Sequence, residues 1–268
     1  MLLSASADRE SNEPWYRKES SAGFHDGWRT GQLEMEIANL AYGSRSQSER
    51  EEIRRRFLAV DVSNVADVLD KIGLRDQGLH ASFTPFPSTA GKLAGWAYTI
   101  RGEMASYTGS GDPKKMEACH GIGQGEISVW SGDGEGICYF GELIALGMME
   151  RGSTGALVDA GIRDVRWLGE HCFPVFARYR TAVQSIGRWR VTGWQEPVYL
   201  RGATTDRVTI NPGDFVIADD DGGLVIPNDS IAQVLPEAER LTSLEAEIRR
   251  EISAGLTLQQ ALKKYGHV

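Results

Sequence analysis

A chain of 268 residues, 41% hydrophobic and 25% charged, is composed like an ordinary globular protein, with length for one large domain or two small ones. Its formal net charge of −8 repels a phosphate backbone on average, so nucleic acid is not an expected partner. Three scattered thiols (Cys119, Cys138, Cys172) argue against a disulfide scaffold, and neither the histidine spacing nor any apolar run suits a zinc site or a membrane span.

The polar first 30 residues hold no apolar segment of signal-peptide length, and the expectation is a soluble, cytoplasmic chain without a membrane partner. Trp15, Tyr16, Phe24 and Trp28 mark this stretch as an arm that packs onto a neighbouring surface. A short helix is predicted over 31–42, and Ser48 with Glu51 has the capping-box spacing that starts a charged helix, in which Arg54-Arg55-Arg56 mixes with Glu49, Glu51 and Glu52. The segment "DVSNVADVLDKIG" repeats apolar residues at 62, 65, 69 and 72 and stops at Gly73, an amphipathic helix with a glycine after its end. Four apolar runs bounded by Gly, Pro or Ser then read as strands: 91–102, 126–132, 154–161 and 173–179. Between the second and third lies the helix "YFGELIALGMMERG", with Leu143, Leu146 and Met149 expected toward the core. Strand, helix, strand at this spacing is a crossover unit. After 180 further strands follow in "AVQSIG", "RWRVTGWQEPVYL", "DRVTI" and the hairpin "GDFVIADDDGGLVIP", and the stretch 229–264 reads as helical.

Glycine-rich spots divide by context. "GSGDPKK" (109–115) lacks phosphate-loop spacing and reads as a loop, and "GIGQGE" (121–126) precedes a strand and reads as a turn. "SGDGEGICYFGEL" (131–143) instead follows a strand and opens a helix, a geometry in which free N–H groups and the helix dipole suit a carboxylate or phosphate. In "VDAGIRDVRWLGE" a strand ends in Arg163-Asp164. One reading has Asp164 cap the following helix while Arg163 pairs with a surface acid. The other places both at a strand's C-terminal end, where ligands bind in α/β units: Asp164 for a hydrated Mg²⁺ or Mn²⁺, Arg163 for a keto or carboxylate oxygen. The acids of "ADDDGG" suit a solvated hairpin, and His80, His120, His171 and His267 stand as isolated residues.

In combination, Gly141-Glu142-Leu143 opening a helix, Arg151-Gly152 with Gly155, Asp159 with Arg163-Asp164, and Phe173-Pro174-Val175-Phe176-Ala177 resemble the RraA-like family. That family includes 4-hydroxy-4-methyl-2-oxoglutarate aldolases that also decarboxylate oxaloacetate. The similarity runs in order over about 60–255. It implies an α/β fold, a swivelling β/β/α sandwich, here with an N-terminal helical extension and C-terminal helices. The expected division is an N-terminal arm with helices over 1–58 and a catalytic domain over 59–268. Implied too are a homotrimer or homohexamer with sites at subunit interfaces and a 2-oxo acid as the small-molecule substrate. Carried over by position, Asp164 is the ligand of a divalent metal, Mg²⁺ or Mn²⁺, and Arg163 holds the keto oxygen. The N–H groups of Gly141, Glu142, Leu143 and Ile144 bind the substrate carboxylate, and Glu142 moves protons. An acid from a neighbouring subunit is also implied, for which Asp219, Asp221 and Glu239 are candidates. No lysine is required, and none stands placed for a Schiff base.

The reaction implied is cleavage of a 4-hydroxy-2-oxo acid, or loss of CO₂ from oxaloacetate, through a pyruvate enolate. The alternatives are a metal-dependent enzyme of other chemistry on a keto acid, and a non-catalytic regulator like the ribonuclease E inhibitor of the same family. That regulator lacks the acid after the arginine, which this chain retains. Ala160 replaces a family glycine. The N-terminal arm and the tryptophans Trp189 and Trp194 also depart from the pattern, the latter two as pocket walls or as core.

Overall fold

The computed structural model describes residues 45–267, and the expected arm over 1–30 and helix over 31–42 lie outside them. The chain opens with α1 (Gln47–Leu58) and α2 (Val62–Lys71). The cap of α1 is Ser46 with Glu49, two residues before the expected pair. The same spacing occurs twice in this segment, and Glu51 is drawn away by Arg54, onto which it forks at 2.9 and 3.0 Å. Helix α2 buries Val62, Val65, Val68 and Leu69 and gives way at Gly73 as expected.

Strands β1 (Thr84–Phe86) and β2 (Leu93–Met104) precede α3 (Pro113–His120). Next come β3 (Glu126–Ser131), β4 (Cys138–Phe140), α4 (Glu142–Met149), β5 (Gly155–Ile162), α5 (Val165–Glu170) and β6 (Val175–Arg180). The remaining strands are β7 (Trp189–Trp194), β8 (Val198–Arg201), β9 (Arg207–Ile210), β10 (Phe215–Asp219) and β11 (Gly222–Ile226). The chain closes with α6 (Ile231–Ser253) and α7 (Leu258–Tyr265). The stretch 229–264, expected to be helical, holds both of these helices. Gly255, at φ +106°, turns the chain, and Thr257 caps a new helix there. The segment "AVQSIG" is no strand, because it meets the sheet only by a bridge from Gln184 to Cys138.

Nine strands form one sheet in the order β1-β6-β5-β3-β2-β10-β11, with β4 on β5 and β7 on β2. The inner strands β2, β3, β5 and β6 run parallel, and β10, β7 and β1 join antiparallel. Alternation along each strand separates two faces. Leu93, Val129, Leu157, Phe176 and Val216 pack under the separate β8–β9 hairpin. Trp96, Tyr98, Trp130, Val158 and Phe215 face the helices. The hairpin, the mixed sheet and the helices thus make the β/β/α layering expected from sequence. No helix among the described residues is long and apolar enough to cross a membrane.

One expectation about side chains is corrected, and one choice between two readings is decided. In α4 the core receives Ala145 and Met148, whereas Leu143 is 78% exposed and Leu146 is exposed too. The helix is apolar almost all round, so periodicity could not select its inner face. Trp189 is core: its ring stacks on Tyr139 at 4.0 Å between centroids, and Trp194 packs partly buried against the same cluster. Room for the Trp189 ring comes from Gly102, at an irregularity in the β2–β7 ladder, where an added Cβ would lie 1.9 Å from the ring. Gly102→Ala is therefore expected to cost about 2–3 kcal/mol by overpacking. Urea unfolding should show a lower midpoint at unchanged slope.

Candidate functional site

The short strand β4 pairs in parallel with the end of β5, Cys138 against Gly161 and Phe140 against Ile162. The N–H of Arg163 extends this contact to the carbonyl of Phe140 at 3.1 Å. Both strands turn directly into helices, so the start of α4 and the start of α5 lie side by side at the C-terminal ends of parallel strands. This is where α/β sheets place ligands. Arg163 and Asp164 emerge there, about half-exposed.

Asp164 occupies the cap position of α5, but its side chain does not cap that helix. Its backbone is left-handed at φ +59°, a conformation open to Asp and Asn, and this turns the carboxylate toward the neighbouring helix. Oδ2 accepts the N–H of Glu142, the first residue of α4, at 3.0 Å and lies 3.5 Å from Nε of Arg163. Both contacts fall on Oδ2, leaving Oδ1 without a protein partner among the described residues. The N–H groups of Leu143 and Ile144 have no acceptor within their helix, as first-turn geometry dictates. Of the expected carboxylate-binding set, the Glu142 N–H is thus already engaged by Asp164.

These groups line one cavity of about 970 Å³, which takes in Gly141, Glu142, Leu143, Ile144, Arg163 and Asp164 together. The sequence-predicted residues are therefore brought to one place. Its remaining walls are largely apolar and include Tyr107, Met116, Phe140 and Ile186. Trp189 and Trp194 are not among them. Asp159, the first acid of the same motif, parts from the other two. It points to the hairpin side of β5, buried, 2.6 Å from Nε of Arg178 and 3.8 Å from Nε of Arg201. Burial pushes its carboxyl up to about 6 against the pull of Arg178. Asp219 accepts the first N–H of α2 at 3.2 Å, and Glu239 forks onto Arg56 at 2.6 and 2.7 Å, so within one chain neither enters the cavity.

Lys115 is among the cavity residues that the sequence reading did not single out. The "GSGDPKK" segment was expected to be a loop, yet Asp112 caps α3 with Pro113 in its first turn, and Lys115 lines the cavity. The signal was present in Asp112-Pro113, a helix cap followed by the proline that a first turn accepts.

A divalent metal needs donors that stay ionised and accessible. Among the described residues no three His, Cys, Asp or Glu side chains converge to enclose an ion. The unpartnered Oδ1 of Asp164 fits a cation that keeps most of its water, as Mg²⁺ does, and not one that requires a closed protein cage.

Comparison with known proteins places this geometry in context. The family model described as RraA-like, Aldolase/RraA, matches residues 62–225. Protein DlpA of Legionella pneumophila is 29% identical over 212 residues, 79% of this chain but 33% of DlpA, so the match spans about a third of that protein. A putative 4-hydroxy-4-methyl-2-oxoglutarate aldolase of Halalkalibacterium halodurans is 27% identical over 154 residues, 57% of this chain and 70% of its own. Among solved structures, Streptomyces coelicolor RraAS2, described as an unusual member of the RNase ES inhibitor RraA protein family, superposes with a TM-score of 0.61 at 22% identity. That superposition covers 74% of this chain and 96% of RraAS2, and at such identity it speaks for the fold alone.

Gly141 leaves space for the Asp164 carboxylate, since an added Cβ would stand 2.6 Å from Oδ2. Gly141→Ala is expected to displace that carboxylate from the α4 N–H and to destabilise the fold by about 1 kcal/mol, the scale of a lost helix cap. A denaturant titration that finds the variant equal to the wild type would contradict this.

Proposed function

This chain belongs to the RraA-like family, and from that premise we propose that its cavity is the active site of a divalent-metal-dependent lyase acting on a 2-oxo acid. The observation that carries the reading is the convergence of Arg163, Asp164 and the start of α4 on one cavity. The putative aldolase of H. halodurans supports the same class of reaction.

The residues divide the work by their chemistry. The N–H groups of Leu143 and Ile144, with the positive end of the α4 dipole, bind the substrate carboxylate. Arg163 presents a planar fork to the keto oxygen, where negative charge develops as the carbon–carbon bond breaks. Charge stabilised only as it develops lowers the barrier instead of merely tightening substrate binding. Glu142, at the cavity edge, is placed to take the proton of a 4-hydroxyl or return one to carbon through water. Asp164 would hold Mg²⁺ or Mn²⁺ with waters, and the ion when bound would supply Lewis acidity to the same oxygen. The exposed Met116 and Leu143 at this cavity support a site finished by a neighbouring subunit.

The test is pyruvate release from oxaloacetate and from 4-hydroxy-2-oxo acids, with and without chelator. Activity is expected with Mg²⁺ or Mn²⁺ and should vanish on chelation. Asp164→Asn tolerates the left-handed backbone and removes the charge, so it should lower kcat/KM on the order of a hundredfold or more without unfolding the chain. Undiminished turnover in that variant would remove the reading, as would failure of the wild type on every 2-oxo acid. Arg163→Lys loses the fork and is expected to keep only about a tenth of the rate or less, measured in the same assay.

A further inference from the structure

The cavity is bordered by a second cationic residue that the proposed chemistry leaves unused. Lys115 stands in the first turn of α3, with 8% of its surface exposed, and its ammonium donates to the carbonyl oxygen of Tyr139. Its Nζ lies 5.4 Å from the ring centroid of Trp130 and 5.8 Å from that of Trp189, over faces that favour a cation. What it lacks is a countercharge, since among the described residues it makes no ion pair with an Asp or Glu. The nearby acid Asp112 is spent on backbone, Oδ1 on the N–H of Lys115 at 3.3 Å and Oδ2 on the N–H of Val191 at 2.7 Å. Burial holds the Lys115 ammonium below the usual lysine range, against the opposing pull of neighbours that include Asp112. A buried charge with one carbonyl and two ring faces for company is only partly compensated.

An open cavity beside such a cation can admit the missing anion. We propose that Lys115 is a substrate-binding residue of this cavity, its ammonium taking an anionic group of the 2-oxo acid other than the carboxylate held at the start of α4. The assignment rests on the reading of the cavity as a 2-oxo-acid site. It makes Lys115 a determinant of specificity. A ligand with one anionic group leaves the ammonium without its countercharge, whereas a ligand with two satisfies both ends of the cavity.

Titration calorimetry of the full chain with Mg²⁺ tests this with pyruvate, which has one carboxylate, and 2-oxoglutarate, which has two. The wild type is expected to bind 2-oxoglutarate at least about tenfold more tightly than pyruvate. Lys115→Met keeps the apolar stem and removes the charge; it should weaken 2-oxoglutarate about tenfold and pyruvate less than about threefold. Lys115→Arg keeps the charge and should retain most of the preference. If Lys115→Met melts far below the wild type, Lys115→Gln takes its place and is read by the same criterion. Equal weakening of the two ligands, unchanged affinity without the ammonium, or no preference for 2-oxoglutarate in the wild type overturns the proposal. Binding also separates this assignment from the lyase reading. A wild type that prefers 2-oxoglutarate through Lys115 but releases no pyruvate from any 2-oxo acid upholds the first and removes the second.

Discussion

The brief parallel ladder between β4 and β5 sets two strand-to-helix turns beside each other, and a single carboxylate spans the gap between them. Everything at the site follows from that adjacency. Asp164 reaches the first N–H of α4 only because its own backbone is left-handed and because Gly141 offers no Cβ. Arg163 is held beside it by a backbone bond to Phe140 and by the 3.5 Å contact of Nε with Asp164, and its side chain remains about half-exposed. The dipole of α4, the carboxylate and the guanidinium thus share a few ångströms, a concentration of charge that a surface loop could not hold in register.

Beneath this lies an aromatic floor. Trp130, Tyr139, Phe140 and Trp189 pack between the sheet and the helices, and their ring contacts run from the core to the cavity wall. The rings lower the local polarity and so strengthen every charge interaction above them. They also account for a lysine buried without a carboxylate, since their faces replace part of the water it has lost.

The succession of the central strands along the chain, and the strand end at which Arg163-Asp164 stands, were legible because they depend on local signals. Gly, Pro and Ser bound the apolar runs of β2, β3, β5 and β6, and Arg163-Asp164 follows an apolar run directly. Matters decided by packing were not legible. Leu143 and Leu146 were expected inside, but a helix apolar all round leaves the choice of face to its neighbours, which took Ala145 and Met148. Ser46 and Ser48 carry the same capping pattern, and Arg54, one turn further along the helix, competes for Glu51 and leaves Ser46 with Glu49 as the cap. Lys115 looked like part of a polar loop because burial of a charge leaves no trace in composition. Only the three-dimensional return of β4 and β7 encloses it.

The parting of Asp159 from Arg163 and Asp164 has a practical meaning. Three residues that read as one motif occupy opposite sides of a strand, one in an ion network with Arg178 and Arg201, two at the cavity. A mutational screen scored on function alone would group all three, although loss of Asp159 is expected to act by taking the buried ion-pair partner from Arg178, leaving it the exposed Glu135, and so by thinning the population of folded molecules. Abundance measured beside any loss of function separates the scaffold acid from the pair at the cavity.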